Sequence, residues 1–488
     1  MQYQFLGYWG YGLPLELNSI IAKVTRDKNT KFLDFNQGKT FCGISYIGGE
    51  NLPITRGDSL IASLSASGFS DSMDAWVKVK NNQLILGREA FGRVPLYWVR
   101  IEQIIWFASE LKLLLCVIPK PSISVPGFYG YTCFSYVPTP LTPVENIFAI
   151  PPGVEQFFSD PKTYTQQRYE WRENLVQIKD KDEAITQLQT LLKNVISRQV
   201  SNLYNEPVGV FLSGGLDSSI VASLLVQAGI KVRAYTLDFG EKFFPEWQYA
   251  EKVAQHLNIP LVKVSVTGKQ IKKALLATVK ALDLPFGDGV TVPLYLLCQT
   301  ASQEVSVIFN GEGGDQLFGG WTNKPIIAAS VYNYQRNFTQ QYLQTFHKLW
   351  GYERQVFQPD FYQKVQNISA EKWIEYALDD AFCSGLIHKL RRATLMLKGA
   401  QNIHPRATNL AFSHGLFVRS PFCDLALAEW TFKLPGEFYL KASKEKYILK
   451  KAVESWLPPE VVWREKRGMG VPLNYWCLNE LWSEIRQW

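Results

Sequence analysis

Two short stretches of this 488-residue chain carry side chains that could do chemistry together. In the first, the apolar run Val208 to Leu212 enters the turn Ser213-Gly214-Gly215, and a helical pattern opens by Ile220 to Leu225. Backbone N–H groups of such a turn and of the first helical turn have no internal partner and carry partial positive charge, so they can cradle an anion. Asp217 stands in the middle of that anion site. A carboxylate beside phosphates repels them unless a divalent cation lies between, so the expected ligand is a nucleotide with Mg²⁺. The loop lacks the Lys of a G-x-x-x-x-G-K-[ST] loop and the third spaced Gly of a G-x-G-x-x-G fingerprint, which separates it from both. The second stretch, Gly311-Glu-Gly-Gly-Asp315, places Glu312 and Asp315 on another glycine-rich turn after the apolar run Val305 to Phe309.

Both turns need a scaffold that brings them together. From Pro207 onward strand-like runs (208–212, 231–237, 261–266 and 305–309) alternate with helical stretches, one of them across Trp247 to His256. This βαβ order implies a parallel sheet with helices on both faces, and ligands of such sheets sit beyond the carboxyl ends of the strands. The two turns should therefore meet at one site. After about residue 325 the pattern is mainly helical and aromatic-rich. Residues 1 to about 160 have sheet composition, with alternating runs at Ala75 to Lys80 and Gln83 to Leu86. Turn residues then concentrate at 137–143 and 151–153. A helical pattern with Ala184, Leu188, Leu191, Leu192 and Val195 on one face begins at Asp180. Two domains follow, residues 1–170 and 180–488.

Ser213-Gly214-Gly215-Leu216-Asp217-Ser218 resembles the S-G-G-x-D-S pyrophosphate loop of ATP pyrophosphatases, which cleave ATP between the α and β phosphates and adenylate their substrates. Asn310 to Gly320 narrows the choice, being similar to the S-G-E-G-x-D-E-x-F-G-G motif of asparagine synthetases. Further matches are Leu434-Pro435, Lys446 to Leu449, Leu457-Pro458, Arg464 to Lys466, and Arg419 to Asp424 against R-x-P-F-L-D, where Cys423 replaces Leu. Residues 87–112 resemble the end of the same family's N-terminal glutaminase domain. The resemblance implies an α/β protein. An Ntn-hydrolase-like, sheet-rich sandwich would precede an adenine-nucleotide α-hydrolase-like parallel sheet with helices, followed by a helical extension.

It also implies roles. Leu212, Ser213, Gly214, Gly215, Asp217, Ser218 and Gly311 would bind the nucleotide, and Asp217 and Asp315 would hold Mg²⁺ against the leaving pyrophosphate. Lys466 would stabilise negative charge on phosphate or on a tetrahedral adduct, and Glu312 would take a proton from the attacking nitrogen. Two plainer readings stand beside these: Glu312 as a cap of the next helix, and Lys466 as a surface lysine. In β-lactam synthetases, which share the two-domain plan, a tyrosine stands where this chain has Glu312. The Glu tilts toward ammonia or an external amine as nucleophile. Leu284 to Pro293 is positioned like a substrate segment, with Asp288 able to hold a substrate ammonium.

The N-terminal region pulls the other way. Glutamine-dependent members begin Met-Cys, because the terminal cysteine supplies both thiolate and base. This chain reads Met1-Gln2, with Cys42 its nearest cysteine, and it lacks the R-G-P-D and N-G-E-I-Y-N signatures, Arg56-Gly57-Asp58 being the closest fragment. The expectation is a carboxylate-adenylating amide ligase fed by ammonia or an amine, with an inactive glutaminase-like domain. A ring-closing amide synthetase resembling β-lactam synthetases or lasso-peptide cyclases is the alternative. A tRNA-modifying enzyme and a silent scaffold are weaker readings.

Composition sets the outer limits. Hydrophobic content of 47% with 15 Trp, 23 Tyr and 29 Phe suits a large packed interior, and no apolar run approaches the roughly 20 residues that span a bilayer. No secretory leader is read at the start, so a cytoplasmic protein is expected. Seven scattered cysteines fit free thiols, and five histidines lack metal-site spacing. The net charge of +7 is mild, and its local excess at 441–467, eight Lys or Arg against four Glu, suits a polyphosphate pocket as well as RNA. Expected partners are therefore a small-molecule or peptide carboxylate and a nitrogen donor, without nucleic acid or membrane. The plan admits a homodimer.

Overall fold

The computed structural model describes residues 4–11, 31–36, 40–47, 54–55, 59–69, 72–159, 162–203, 206–240, 243, 245–287, 289–320, 338–466 and 468–487. In the N-terminal half, alternation of apolar and polar side chains produces antiparallel strands. Ala75–Lys80 and Gln83–Arg88 form a hairpin whose two-residue turn, Asn81-Asn82, adopts φ of 53° and 56°, the left-handed backbone that matches the twist of paired strands and that Asn tolerates. We label the strands β1 (Gln4–Gly10), β2 (Lys31–Asp34), β3 (Phe41–Ile47), β4 (Ile54–Thr55), β5 (Leu60–Leu64), β6 (Ala75–Lys80), β7 (Gln83–Arg88), β8 (Tyr97–Ile101), β9 (Ile104–Ala108), β10 (Phe148–Ala149), β11 (Val154–Phe158) and β12 (Thr163–Gln167). One sheet runs β10-β8-β9-β1-β3-β2 and the other β12-β11-β7-β6-β5-β4. Phe5, Trp9 and Ile44 of the first share a core with Leu60, Val77 and Leu86 of the second, so the two sheets pack as a sandwich.

The C-terminal half is a parallel sheet of β13 (Val208–Phe211), β14 (Val232–Asp238), β15 (Leu261–Ser265), β16 (Val307–Phe309) and β17 (Phe417–Arg419), in the order β15-β14-β13-β16-β17. Its central strands β13 and β16 are wholly apolar because helices cover both faces, whereas edge strand β15 carries exposed Lys263 and Ser265. Helices α1 (Lys181–Gln199) and α2 (Leu216–Gln227) bury Leu188, Leu192, Ile220 and Leu224 on one face, while Leu297 and Cys298 of α3 (Thr291–Ala301) bury on the other. Asp180 caps α1, accepting from the N–H groups of Asp182 and Glu183 at 2.8 Å. The chain continues from residue 338 as short helices. Among the described residues, no helix is long and apolar enough to cross a membrane.

One local expectation is corrected. The helix after the first glycine turn begins at Leu216, not near Ile220. Gly214 takes φ +70° and completes the reversal alone, with its α-hydrogen side against the backbone of Tyr249 and Ala250. Asp217 and Ser218 therefore ride on the first turn of α2, where the helix dipole favours an acidic side chain.

Candidate active site

Strand β13 is followed outward by β14 and β15 on one side, whereas β16 and β17 lie on its other side. The loops leaving β13 and β16 thus diverge at the switch point where doubly wound sheets bind ligands. A cavity of about 420 Å³ opens there. Phe211, Leu212, Leu237 and Val418 give it apolar walls, and Asp217, Glu312, Asp315, Lys398, Lys446 and Lys466 its charged end.

Contact between the two loops depends on glycine. A Cβ on Gly311 would stand 2.7 Å from the Ser218 nitrogen, and one on Gly314 would stand 2.5 Å from the Asp217 carboxyl carbon. Any side chain at either position would push the loops apart. The serine loop also bonds to itself: Ser213 Oγ lies 3.2 Å from Ser218 Oγ, and Ser218 Oγ donates to the Gly215 carbonyl at 3.2 Å. The second loop is fixed from β17. Ser420 Oγ donates to Asn310 Oδ1 at 2.7 Å, and the same oxygen accepts the Glu312 N–H at 3.2 Å.

Charge is concentrated where the loops touch. Lys446 Nζ lies 2.5 Å from Asp217 Oδ2 and 2.5 Å from Asp315 Oδ1, and Lys466 Nζ lies 2.7 Å from Asp315 Oδ2. Burial alone would raise the Asp315 carboxyl, but the two lysines overcome it and hold it down at about 2. Asp217 goes up instead, through burial and the Asp315 charge, against the pull of Lys446. Glu312 faces the cavity and is otherwise enclosed by protein. That desolvation, reinforced by Asp315 and Asp217 and opposed by Lys466 and Lys398, pushes its carboxyl up to about 7. Such a group exchanges its proton near neutral pH.

The structure thus brings Leu212, Ser213, Gly215, Asp217, Ser218, Gly311, Glu312, Asp315 and Lys466 to one cavity, with Gly214 shaping the turn beneath. Glu312 does not cap the next helix, since Gly313, at φ +96°, is the cap of Gly314–Phe318 and no side chain bonds there. Lys466 is one-third exposed but ion-paired, not a free surface lysine. Val290 of the predicted substrate segment lines the cavity. Asp288, Arg56 to Asp58 and Met1-Gln2 lie outside the described residues.

Three cavity lysines, Lys398, Lys446 and Lys450, were not singled out from sequence. Lys446, buried and at φ 55°, stood in view within the Lys446 to Leu449 match, but its ion pair with Asp217 joins residues 229 apart. Lys398 projects from a π-helical stretch, Leu395–Ile403, a geometry often found at functional sites, and burial lowers its pKa. Two carboxylates close enough to share one ammonium can also share a metal ion, and Asp217 Oδ1 is buried without a hydrogen-bond partner among the described residues. This all-oxygen pair fits a hard divalent cation.

Comparison with known proteins identifies the family. The asparagine synthase family model matches residues 187–488, and a glutamine amidotransferase domain matches residues 74–170. Glutamine-hydrolysing asparagine synthetase 1 of Bacillus subtilis is 24% identical over 436 residues, covering 83% of this chain and 68% of its own. A putative glutamine-hydrolysing asparagine synthetase of Mycobacterium tuberculosis is 24% identical over 463 residues, covering 83% and 67%. That of Gallus gallus is 24% identical over 407 residues, covering 80% and 61%. The chain belongs to the asparagine synthase family, whose members are ATP-dependent ligases that form AMP and pyrophosphate.

Proposed function

We propose that this protein joins a carboxylate to ammonia or an amine, adenylating the carboxylate with ATP and releasing pyrophosphate before nitrogen displaces AMP. The observation that carries this reading is the Glu312 carboxyl, poised near 7 on the same cavity wall as the Asp217 and Asp315 loops. ATP would place its adenine against Leu212 and Leu237 and its phosphates on Ser213, Gly215, Ser218 and the start of α2. Mg²⁺ held by Asp217 and Asp315 would neutralise charge on the leaving pyrophosphate. Lys446 and Lys466 add positive charge at the same end, so the phosphate side is electrostatically prepared before reaction. Glu312, ionised in part at neutral pH, would accept the proton that the attacking nitrogen must lose.

In this reading residues 1–170 form a glutaminase-like domain without glutaminase activity, and residues 180–488 form the synthetase. Curated relatives are named as glutamine-hydrolysing, so the departure needs support. Cys42 supplies it: it is 1% exposed, and burial pushes its thiol up to about 12, far from a nucleophilic thiolate. The same inert thiol favours a second reading, a ring-closing synthetase whose amine belongs to the substrate itself.

The test is product analysis with ATP, Mg²⁺, candidate carboxylates and an ammonium salt. AMP and pyrophosphate are expected. ADP with inorganic phosphate would overturn adenylation. Amide formed from glutamine in ammonium-free buffer would overturn the nitrogen donor alone.

A further inference from the structure

A second cavity, of about 10 Å³, lies between the two halves of the molecule. It has room for a single water-sized occupant. Ser109 and Glu110, just after β9, reach it from the N-terminal half, and Asp283 and Asn409 from the C-terminal half, between the apolar walls of Leu64 and Phe412. All four polar side chains carry oxygen. Neither carboxyl oxygen of Asp283 touches solvent, and neither accepts a well-formed hydrogen bond among the described residues. The N–H groups of Leu111 and Lys112 face this carboxyl and favour its charge without closing such a bond.

Charges around the cavity do not balance. Glu110 and Asp283 bring two negative charges. The neighbouring cation, Lys112, is committed to Glu110 Oε2 at 2.6 Å and to the Lys280 carbonyl at 3.1 Å. Tyr97, whose buried hydroxyl is close enough to feel Asp283, is kept neutral by burial. Arg88 beyond it donates to the carbonyls of Val94, Gly92, Ile150 and Ala400. Burial first, and then Glu110, push Asp283 up to about 7 against Lys112. When Asp283 is ionised, one negative charge beyond the Lys112–Glu110 pair faces this oxygen-lined space. A carboxylate enclosed in such a place takes either a proton or a cation.

We propose that this cavity binds one monovalent alkali cation, held by Asp283 and Glu110 with the Asn409 and Ser109 oxygens completing its shell, and that the ion fastens the two halves together. A hard oxygen donor set suits such an ion. A single charge matches the deficit, whereas a divalent ion would leave buried positive charge. The site is separate from the ATP-binding cavity, and its test does not depend on the activity proposed above.

The probe is K⁺, with the full-length protein melted in KCl, NaCl or choline chloride at equal ionic strength. A saturable rise in Tm with K⁺ or Na⁺, absent with choline, is expected. Asp283→Asn should raise the K⁺ concentration for half the effect at least about tenfold. If that variant fails to fold, Asn409→Leu, which fills the cavity without removing a charge, should abolish the K⁺ response. Equal midpoints in the three salts would mean that Asp283 carries a proton, and would overturn the proposal. So would a K⁺ response unchanged in Asp283→Asn or surviving in Asn409→Leu.

Discussion

Cys42 and Glu312 are both titratable groups taken out of water, and desolvation raises the pKa of both. Their surroundings send them to opposite ends of usefulness. Cys42 lies within β3 opposite Trp9, under the shared core of two sheets, and burial alone carries its thiol to about 12. Glu312 lies just past the end of β16, on a loop that borders an open cavity and answers to two carboxylates and two lysines. Its carboxyl stops near 7. Burial by itself makes a group inert, whereas burial at the rim of a cavity, balanced by placed charges, makes it a base at neutral pH.

Removing the proposed base strikes this contrast hardest. Glu312→Gln should lower amide formation by roughly 10²- to 10⁴-fold while pyrophosphate release continues, a split seen by measuring both products in one reaction. If amide forms at the normal rate, Glu312 is not the base. Next in size, Asp217→Asn and Asp315→Asn should each lower pyrophosphate release by roughly 10²- to 10³-fold. Unchanged release in either variant would remove that carboxylate from the phosphate end.

A stability measurement probes the same contrast more gently. Because the folded pKa of Glu312 lies above its unfolded value, its favourable contribution is complete below about pH 4.5 and fades as pH rises through about 7. At pH 8 the buried, ionised side chain should cost on the order of 3 kcal/mol, so Glu312→Gln should stabilise the protein at pH 8 more than at pH 5. Denaturant unfolding at the two pH values decides it, and equal effects would mean that Glu312 is not desolvated. The smallest change belongs to Cys42. Cys42→Ala should cost about 1 kcal/mol of stability and leave amide synthesis from ammonium unaltered. Release of glutamate from glutamine that vanishes in this variant would reverse the comparison.

Much of the frame was legible because its causes are local. Glycine turns after apolar runs marked Ser213 to Gly215 and Gly311 to Asp315, and alternating patterns marked β6, β7 and the βαβ series. The helical pattern from Asp180 marked the start of α1, and the structure shows Asp180 as its cap. Boundaries were less legible: the start of α2 at Leu216 rests on the φ of Gly214, which no periodicity reports. The charged end was only half visible, since Asp217, Glu312, Asp315 and Lys466 were found through their motifs, while Lys398 was not.

The sequence by itself determined the βαβ scaffold, the two glycine-rich loops and the family to which the chain belongs, because turn chemistry, hydrophobic period and short motifs act over a few residues. Only the tertiary structure decided the protonation of the site and the role of Lys446. Those depend on desolvation and on Coulomb contacts a few ångströms long between residues as far apart in sequence as Asp217 and Lys446. The burial of Cys42 was decided in the same way, by two sheets closing over it rather than by anything adjacent to it in the chain.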